Sequence, residues 1–151
     1  MENFTDSISK IIKLVHPDLK ISNDAKLMLN RIANKFLLHF DDIIFTSFQD
    51  TELKHNIVEQ GQKAVTNYNK NPNMINPAKA ANLQISPKKV EKVLPHKDFK
   101  EILYISGGLE YFLAEILDIA GYHTAKITPK HIEQTIFGDE EIIQVIEILC
   151  G

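Results

Sequence analysis

The chain has 151 residues, of which 44% are hydrophobic and 25% charged, and its seventeen basic and twenty acidic side chains leave a formal net charge of −3. This composition fits one ordinary domain or two very small ones, and it excludes a strongly basic protein that attracts polyanions with its whole surface. The single cysteine, Cys150, excludes an internal disulfide framework. No apolar run approaches the roughly 20 residues of a membrane span, and the N-terminal sequence does not resemble a signal peptide. We therefore expect an intracellular protein that is neither secreted nor bound to a membrane.

The basic side chains are strongly biased in type. Sixteen of the seventeen are lysines and Arg31 is the one arginine, while the chain also contains twenty-one isoleucines and eleven asparagines. All three abundant residue types have A/T-rich codons, so the composition indicates an A/T-rich genome.

The spacing of apolar residues predicts a short helix and then a long one at the start of the chain. The short helix ends at His16-Pro17, because the residue before a proline is pushed out of helical geometry. Apolar residues then recur with helical spacing from about 23 to 45. We expect this second helix to be the longest element of the protein.

A break, a further helix and a linker are predicted next. The break covers 46–50, and either Asp50 or Thr51 is suited to cap the helix over 52–68. The stretch 69–84 is rich in asparagine and proline, which is typical of a linker rather than of packed structure.

The second part of the chain repeats the layout of the first. Ser86-Pro87 is a cap followed by proline at the first helical position, and Pro95 ends the short helix that it opens. A loop over 96–106 leads to a second long helix, which Gly107-Gly108 opens and which runs to Ala120.

Two more helices complete the chain. Thr128-Pro129 is again a cap with proline, and Gly138-Asp139 restarts a last helix whose first turn is acidic. No segment has a convincing alternating strand pattern.

Enzyme chemistry is not indicated by these residues. No two of the six histidines lie at the i, i+4 spacing of a metal-binding helix, and Gly107-Gly108 is an isolated pair rather than a phosphate loop. Cys150 lacks the context of a nucleophile. We predict a protein that is not an enzyme and that uses no metal or cofactor.

A short, a long and a short helix, occurring twice, form the layout of the histone fold. Two copies of that fold embrace head to tail through their long helices, since neither copy can bury its apolar stripe alone. We therefore predict an all-α protein with two histone folds in one chain, forming an intramolecular head-to-tail histone pair with shortened helices.

Specific strings extend this resemblance to two different core histones. The first half resembles histone 2B in the strings Val15–Asp18 and Lys63–Thr66. The second half resembles histone 2A in Leu109–Tyr111, Ala114–Leu117 and Pro129–Ile132. A 2B-like half fused to a 2A-like half is similar to the core-histone doublets of giant DNA viruses.

The resemblance implies a domain division and a set of partners. It divides the chain into a 2B-like fold over 1–70, a linker over 71–85 and a 2A-like fold over 86–151. It implies compaction of viral double-stranded DNA, without sequence preference, together with a histone 3/4-like pair or doublet. The expected location is the virion or viral factory, or the host nucleus.

Two departures from the family affect the helices. The segment 46–50 is too short for the family's third helix in the 2B-like half, so this helix is either missing or replaced by residues 52–65. The central helix of the 2A-like half is predicted to be short by a turn or more at each end.

Histone pairs hold DNA through basic side chains, loop amides and helix N-termini that meet phosphates. Carried over from the family, the predicted DNA contacts are Lys20, Ser22, Asn23, Arg31, Lys88, Lys89, Lys92, Lys97, Lys100, Lys126, Thr128 and Lys130. The alternative for each lysine is a solubilising surface residue.

In core histones a set of carboxylates forms an acidic patch that captures arginine-rich peptides through charge-assisted pairs. The corresponding residues are Glu52, Glu59, Glu110, Glu115, Asp118, Asp139, Glu140 and Glu141. The alternative is a solvated helix face with a cap at Asp139. A competing function for the whole protein is a histone-fold interaction protein, such as a regulator, cap or mimic of nucleosomes, with little DNA wrapping of its own.

Overall fold

The structure is a computed structural model that describes residues 1–45 and 51–150. These residues contain nine helices, namely α1 (Thr5–Val15), α2 (Asn23–Leu38), α3 (Phe40–Phe45), α4 (Glu52–Lys70), α5 (Pro77–Ala80), α6 (Pro87–Val93), α7 (Phe99–Ala120), α8 (Pro129–Gly138) and α9 (Glu140–Cys150). The predicted all-α class is confirmed, whereas the division into two histone folds stays a prediction. None of the described helices combines the length and the hydrophobicity that a membrane crossing needs. The predicted break over 46–50, with the capping candidate Asp50, lies outside the described residues.

Two strands that the sequence pattern did not predict join the two halves of the chain. Strand β1 (Lys20–Ile21) pairs in parallel with strand β2 (Lys126–Ile127), with Lys20 opposite Lys126. The Ser22 N–H continues the ladder by donating to the Ile127 carbonyl at 2.9 Å. Strands of two residues are too short to show an alternating pattern, so neither segment was recognised as a strand.

The predicted helix over 23–45 is not continuous, which corrects the prediction made from periodicity. Helix α2 ends at Leu38, His39 lies outside helical geometry with φ −108° and ψ 15°, and α3 begins at Phe40. The apolar pattern nevertheless continues across the break. The rings of Phe36 and Phe40 pack edge to face there, with their centroids 5.7 Å apart. Periodicity reports which side chains face the core, and both helices face the same core.

The second long helix is longer than predicted. Helix α7 begins at Phe99, inside the predicted loop over 96–106, and its 22 residues make it longer than α2. Asp98 caps it by accepting a hydrogen bond from the Glu101 N–H at 2.9 Å. The predicted start of this helix is therefore wrong, because Gly107-Gly108 lies inside the helix rather than at its beginning. That this helix is shorter than its counterpart in the family stays a prediction.

These glycines allow α7 and α4 to approach closely. A Cβ atom built at Gly107 would lie 2.6 Å from the Gln60 carbonyl oxygen of α4. Conversely, a Cβ atom at Gly61 of α4 would lie 2.7 Å from the Tyr104 carbonyl oxygen of α7. Both separations are too short for a real carbon atom, so each helix requires glycine where it crosses the other.

The predicted linker over 69–84 is partly packed, which also corrects the expectation from sequence. Helix α4 extends to Lys70, and Asn76 caps the short helix α5 by accepting from the Ala78 N–H at 3.0 Å. Ala80 and Ala81 are buried. Asparagine and proline were interpreted as loop residues, but at Asn76-Pro77 they begin a helix.

One apolar core contains side chains from both halves. Phe36 of α2 stacks on Phe112 of α7, with the ring centroids 5.0 Å apart, and both rings are fully buried. Two buried asparagines attach the N-terminal segment to this core. The Phe4 N–H donates to Asn30 at 2.7 Å, and the Glu2 N–H donates to Asn34 at 3.0 Å.

The crossing of α4 and α7 generates a stability prediction. Replacing Gly107 by Ala forces a methyl group against the backbone of α4, and we expect the free energy of unfolding to fall by about 1–3 kcal/mol. Gly138→Ala is the control, because nothing lies within 4 Å of its built Cβ atom, so the added methyl group meets no obstacle and stability should not fall. Urea unfolding of both variants checks this, and a Gly107→Ala protein as stable as wild type would contradict the close crossing.

Candidate nucleic-acid interface and acidic cleft

The β1–β2 ladder brings two predicted DNA contacts together. Lys20 and Lys126 are partners in register, and both are exposed. Side chains of directly paired residues project from the same face of a ladder. Ile127, the next residue along β2, is fully buried and anchors the ladder to the core. The two lysines therefore form a positively charged pair whose position the core determines.

Two helices begin directly beyond this ladder. Asn23 starts α2 after β1, and Pro129 starts α8 after β2. Because the two strands run parallel, both helices begin at the same end of the ladder. Helix N-termini carry partial positive charge, which adds to that of the lysines, while Asp24 in the first turn of α2 opposes it.

The side chains of Ser22 and Thr128 are engaged in capping these helices. The Ser22 hydroxyl accepts from the Ala25 N–H at 3.1 Å, and the Thr128 hydroxyl lies 2.9 Å from His131 Nδ1. Asn23 and Lys130 are exposed beside them. Ser22 and Thr128 thus shape the helix starts and leave Lys20, Lys126 and Lys130 as the available charges.

The predicted contacts on α6 and α2 lie in other places. Lys88 and Lys92 are exposed, whereas Lys89 Nζ donates to the Asn3 carbonyl at 2.7 Å. Arg31 of α2 is exposed and lines the same surface cleft as Lys92.

Lys97 differs from the other predicted contacts because its charge is already paired. Its Nζ lies 2.9 Å from Asp41 and 3.6 Å from Glu101, and the hydrogen bond to Asp41 is the main cause that raises its pKa. Lys100, nearby on α7, is exposed. Lys97 links the start of α7 to α3 and offers less charge to a phosphate than its neighbour.

Four of the predicted patch residues line one cleft of about 260 Å³ between α4, α7 and the start of α9. We call it the acidic cleft, and these carboxylates are Glu52, Glu115, Asp139 and Glu141. Asn56 and Tyr111 also line it, although the sequence pattern indicated no function for either. The i, i+4 spacing of Tyr111 and Glu115 is the signal that places the phenol beside the carboxylate.

Hydrogen bonds hold these side chains in place. Asp139 Oδ1 accepts from the Ile142 N–H at 2.9 Å and caps α9, while Glu141 Oε1 accepts from the Leu53 N–H at 2.9 Å in the first turn of α4. The Tyr111 hydroxyl accepts from the Asn56 amide at 3.0 Å and donates to Glu115 at 3.4 Å. The cleft is therefore preorganised.

The surroundings of Glu115 disfavour its negative charge. Burial raises the pKa of this carboxyl, and the negative charges of Asp118, Asp139 and Glu141 raise it further. A cation in the cleft would relieve this repulsion, so the arrangement favours a positively charged ligand.

The other predicted patch residues have different surroundings. Asp118 lies beside Glu115, and its carbonyl and carboxylate oxygens are 2.8 Å and 3.4 Å from His16 Nε2 of the first half. Glu59 pairs with Lys63 along α4 at 3.6 Å. Glu140 is exposed but does not line the cleft.

Glu110 points away from the acidic cleft and binds the linker. Its Oε1 accepts from the backbone N–H groups of Gln84 and Ile85, the latter at 2.9 Å. Burial raises the pKa of this carboxyl. Glu110 therefore fastens the linker to α7.

In the described part of the chain, no three potential ligands among His, Cys, Asp and Glu come together to hold a metal ion.

Comparison with known proteins finds partial similarity to one kind of histone, the variant histone 2A.Z. The chain is 38% identical over 53 residues to histone 2A.Z of Scheffersomyces stipitis and of Debaryomyces hansenii, covering 32% of this chain and 40% of each relative. The same histone of Gibberella zeae is 38% identical over 52 residues, which cover 31% of this chain and 36% of the relative. The matched part thus spans less than half of these relatives. No protein-family profile matches the chain.

These matches and the helical architecture support a histone-fold protein with a region of the 2A type. The matches cover 32% of this chain or less and are to a histone of the 2A type alone. The 2B-like half, the fused pair and the viral source therefore remain predictions.

The buried carboxyl of Glu110 generates a prediction about pH. Since burial raises its pKa, the carboxyl is protonated in both the folded and the unfolded state at pH below the ordinary value of 4.5, and it costs no stability there. The penalty grows as the pH rises from 4.5 to the raised value and is constant above it. Glu110→Gln keeps an oxygen for both linker amides. We expect the free energy of unfolding of Glu110→Gln to equal that of wild type below pH 4.5. Between 4.5 and the raised pKa, we expect the variant to become increasingly more stable than wild type.

Urea unfolding at a series of pH values measures this difference, with the exposed Glu133→Gln as control. Wild type gaining stability over Glu110→Gln as the pH rises would contradict a destabilising buried charge.

Proposed function

We propose that this protein is a histone-like chromatin protein, an intramolecular pair of histone folds that binds the backbone of double-stranded DNA without reading its sequence. The observation that carries the proposal is the in-register pairing of Lys20 with Lys126 next to the starts of α2 and α8. The lysine pair and the helix N-termini are suited to contact phosphates and do not require base edges. This is the chemistry expected of a protein that compacts DNA.

The shared core supports the pairing of residues 1–70 with 86–151. Phe36 stacks on Phe112 across the halves, and the only ladder among the described residues joins a loop of one half to a loop of the other. The segment 71–85 connects the halves and packs on them. A chain with both copies forms the pair without a second molecule.

The predominance of lysine over arginine determines how this protein would contact DNA. A lysine ammonium is a compact, strongly hydrated charge that meets phosphates singly, whereas arginine binds in a planar fork and enters minor grooves. With Arg31 as the only arginine, we expect binding that depends steeply on salt, because each phosphate contact releases counterions.

The doublet resemblance and the A/T-rich composition support a viral source. On this proposal the protein compacts viral DNA in a nucleosome-like particle with a histone 3/4-like pair or doublet. Its location would be the virion, the viral factory or the host nucleus.

Nuclease protection tests this function. A DNA fragment of about 150 base pairs, the length that a histone octamer wraps, is digested with this protein alone and with a histone 3/4-type pair added. We expect a discrete protected length that requires both proteins, and we expect Lys20→Glu with Lys126→Glu to lower the DNA affinity at least about tenfold and to remove the protection.

Lys13→Glu with Lys70→Glu is the matched control, because it changes the same charge at two exposed lysines away from the ladder. No protection in either mixture, or equal loss in both variants, would contradict DNA compaction through the ladder.

A second function is supported by the acidic cleft. Its preorganised carboxylates, and the negative charges of Asp118, Asp139 and Glu141 around Glu115, favour capture of an arginine-rich peptide through charge-assisted hydrogen bonds. The net charge of −3 and the pairing of Lys97 also favour the competing proposal, in which the protein recognises chromatin proteins and wraps little DNA itself.

Glu52→Gln with Glu115→Gln separates the two functions. Both changes keep the shape of the side chains but remove two charges from the cleft, so we expect affinity for an arginine-rich peptide to fall at least about tenfold while DNA affinity is unchanged. Calorimetric titration measures the peptide, with Glu133→Gln and Glu147→Gln, both exposed outside the cleft, as control. Equal peptide affinity in the variant and wild type would eliminate the cleft as the binding site.

A further inference from the structure

We propose that Tyr111 is the positioning residue of the acidic cleft. Asn56 fixes its hydroxyl, and the hydroxyl holds the Glu115 carboxylate in place and in its charged form for a captured guanidinium group. This inference rests on the second function proposed above, the capture of an arginine-rich peptide. It assigns a role to two residues to which neither the sequence pattern nor the family resemblance gave one.

Two helices supply the three side chains. Asn56 comes from the second turn of α4, whereas Tyr111 and Glu115 lie one turn apart on α7. The Asn56 amide donates to the Tyr111 hydroxyl at 3.0 Å, and the hydroxyl oxygen lies 3.4 Å from Glu115 Oε2. The amide nitrogen can only donate, so the hydroxyl oxygen is the acceptor and its single proton is left for the carboxylate.

The Tyr111 hydroxyl is the donor that supports Glu115. In the part of the chain that the structure describes, no other group donates a hydrogen bond to this carboxylate. Asp139 and Glu141 differ, because backbone N–H groups at the starts of α9 and α4 donate to them. Among the described residues, Oε1 of Glu115 has no hydrogen bond, so this oxygen is available to a ligand.

The charge of Glu115 is opposed from several directions. Burial raises the pKa of its carboxyl. Three carboxylates raise it further, and a fourth lines the cleft from α4; they are Asp118, Asp139, Glu141 and Glu52. The hydrogen bond from Tyr111 acts in the opposite direction and lowers the pKa of Glu115. Tyr111 therefore offsets part of the cost of holding a charged carboxylate among these neighbours.

The phenol of Tyr111 keeps its proton in the same surroundings. Burial raises its pKa, the hydrogen bond from Asn56 lowers it, and the charges of Glu115 and Glu52 raise it further, so that the pKa lies above its ordinary value of 10.0. The hydroxyl is thus protonated over the whole range in which a carboxyl titrates. It can donate to Glu115 at every pH at which the cleft binds a cation.

Capture of a guanidinium group depends on this charged form of Glu115. An ionised carboxylate accepts charge-assisted hydrogen bonds from arginine, whereas a protonated carboxyl has lost the charge. Affinity for an arginine-rich peptide should therefore fall as the pH drops through the pKa of Glu115. Without the Tyr111 hydroxyl this pKa lies higher, so the fall should begin at a higher pH.

Tyr111→Phe tests the inference, because it removes the hydroxyl and keeps the ring. Calorimetric titration with an arginine-rich peptide, repeated between about pH 4 and pH 8, gives the affinity as a function of pH. Carbon-13 NMR follows the side-chain carboxyl of Glu115 in the free proteins over the same range. The control is Tyr68→Phe, which changes a half-buried tyrosine of α4 outside the acidic cleft. Urea unfolding verifies that each variant is folded.

We expect Tyr111→Phe to bind the peptide about threefold more weakly than wild type near pH 7, with the difference growing as the pH falls toward the pKa of Glu115. The NMR titration midpoint of Glu115 should rise by about 0.5. Asn56→Ala should shift both measurements in the same direction by less, because it leaves the hydroxyl but removes the amide that fixes it. Tyr68→Phe should match wild type in both.

Equal affinity and an equal NMR midpoint in Tyr111→Phe and wild type would overturn the inference while capture by the cleft stands. A variant that is weaker by one constant factor at every pH, with an unchanged midpoint, would also overturn it, since the hydroxyl would then only shape the cleft. If wild type binds no arginine-rich peptide, or binds it no better than Glu52→Gln with Glu115→Gln does, the second function fails together with this inference.

Discussion

The contact between α2 and α7 at the centre of the core is the interaction on which the rest of the structure depends. Phe36 and Phe112 stack there, and the apolar faces of both halves close over them. Both rings are fully buried, and burying such side chains is the main favourable contribution to folding. Because this contact fixes one half against the other, it also determines where the ladder and the acidic cleft lie.

Charge is distributed between these surfaces in a way that the net value of −3 conceals. Lys20 and Lys126 meet at the ladder, and four lysines line one cleft between α1, α5 and α6. Some carboxylates also have structural roles, since Asp139 caps α9 and Glu141 accepts a hydrogen bond from the first turn of α4. The net charge therefore underestimates how basic the ladder and this cleft are, because some of the acidic groups bind backbone N–H groups elsewhere in the fold.

Local signals predicted the helices well and their limits less well. Thr51, Ser86 and Asp139 cap helices where the sequence placed them, because capping depends on a few adjacent residues. The sequence pattern did not predict the break at His39, since the apolar face continues across it. Gly107-Gly108 was predicted to open the second long helix, but it lies inside that helix and allows the close crossing with α4.

The sequence by itself determined the helical class, most caps and the residue types available for binding phosphates or arginine, because these depend on spacing and chemistry along the chain. Only the tertiary structure decided which of those residues meet. It paired Lys20 with Lys126, directed Glu110 to the linker instead of the acidic cleft, and placed Tyr111 in that cleft. Contacts between residues far apart in the chain depend on how the shared core closes, and no local pattern encodes that closure.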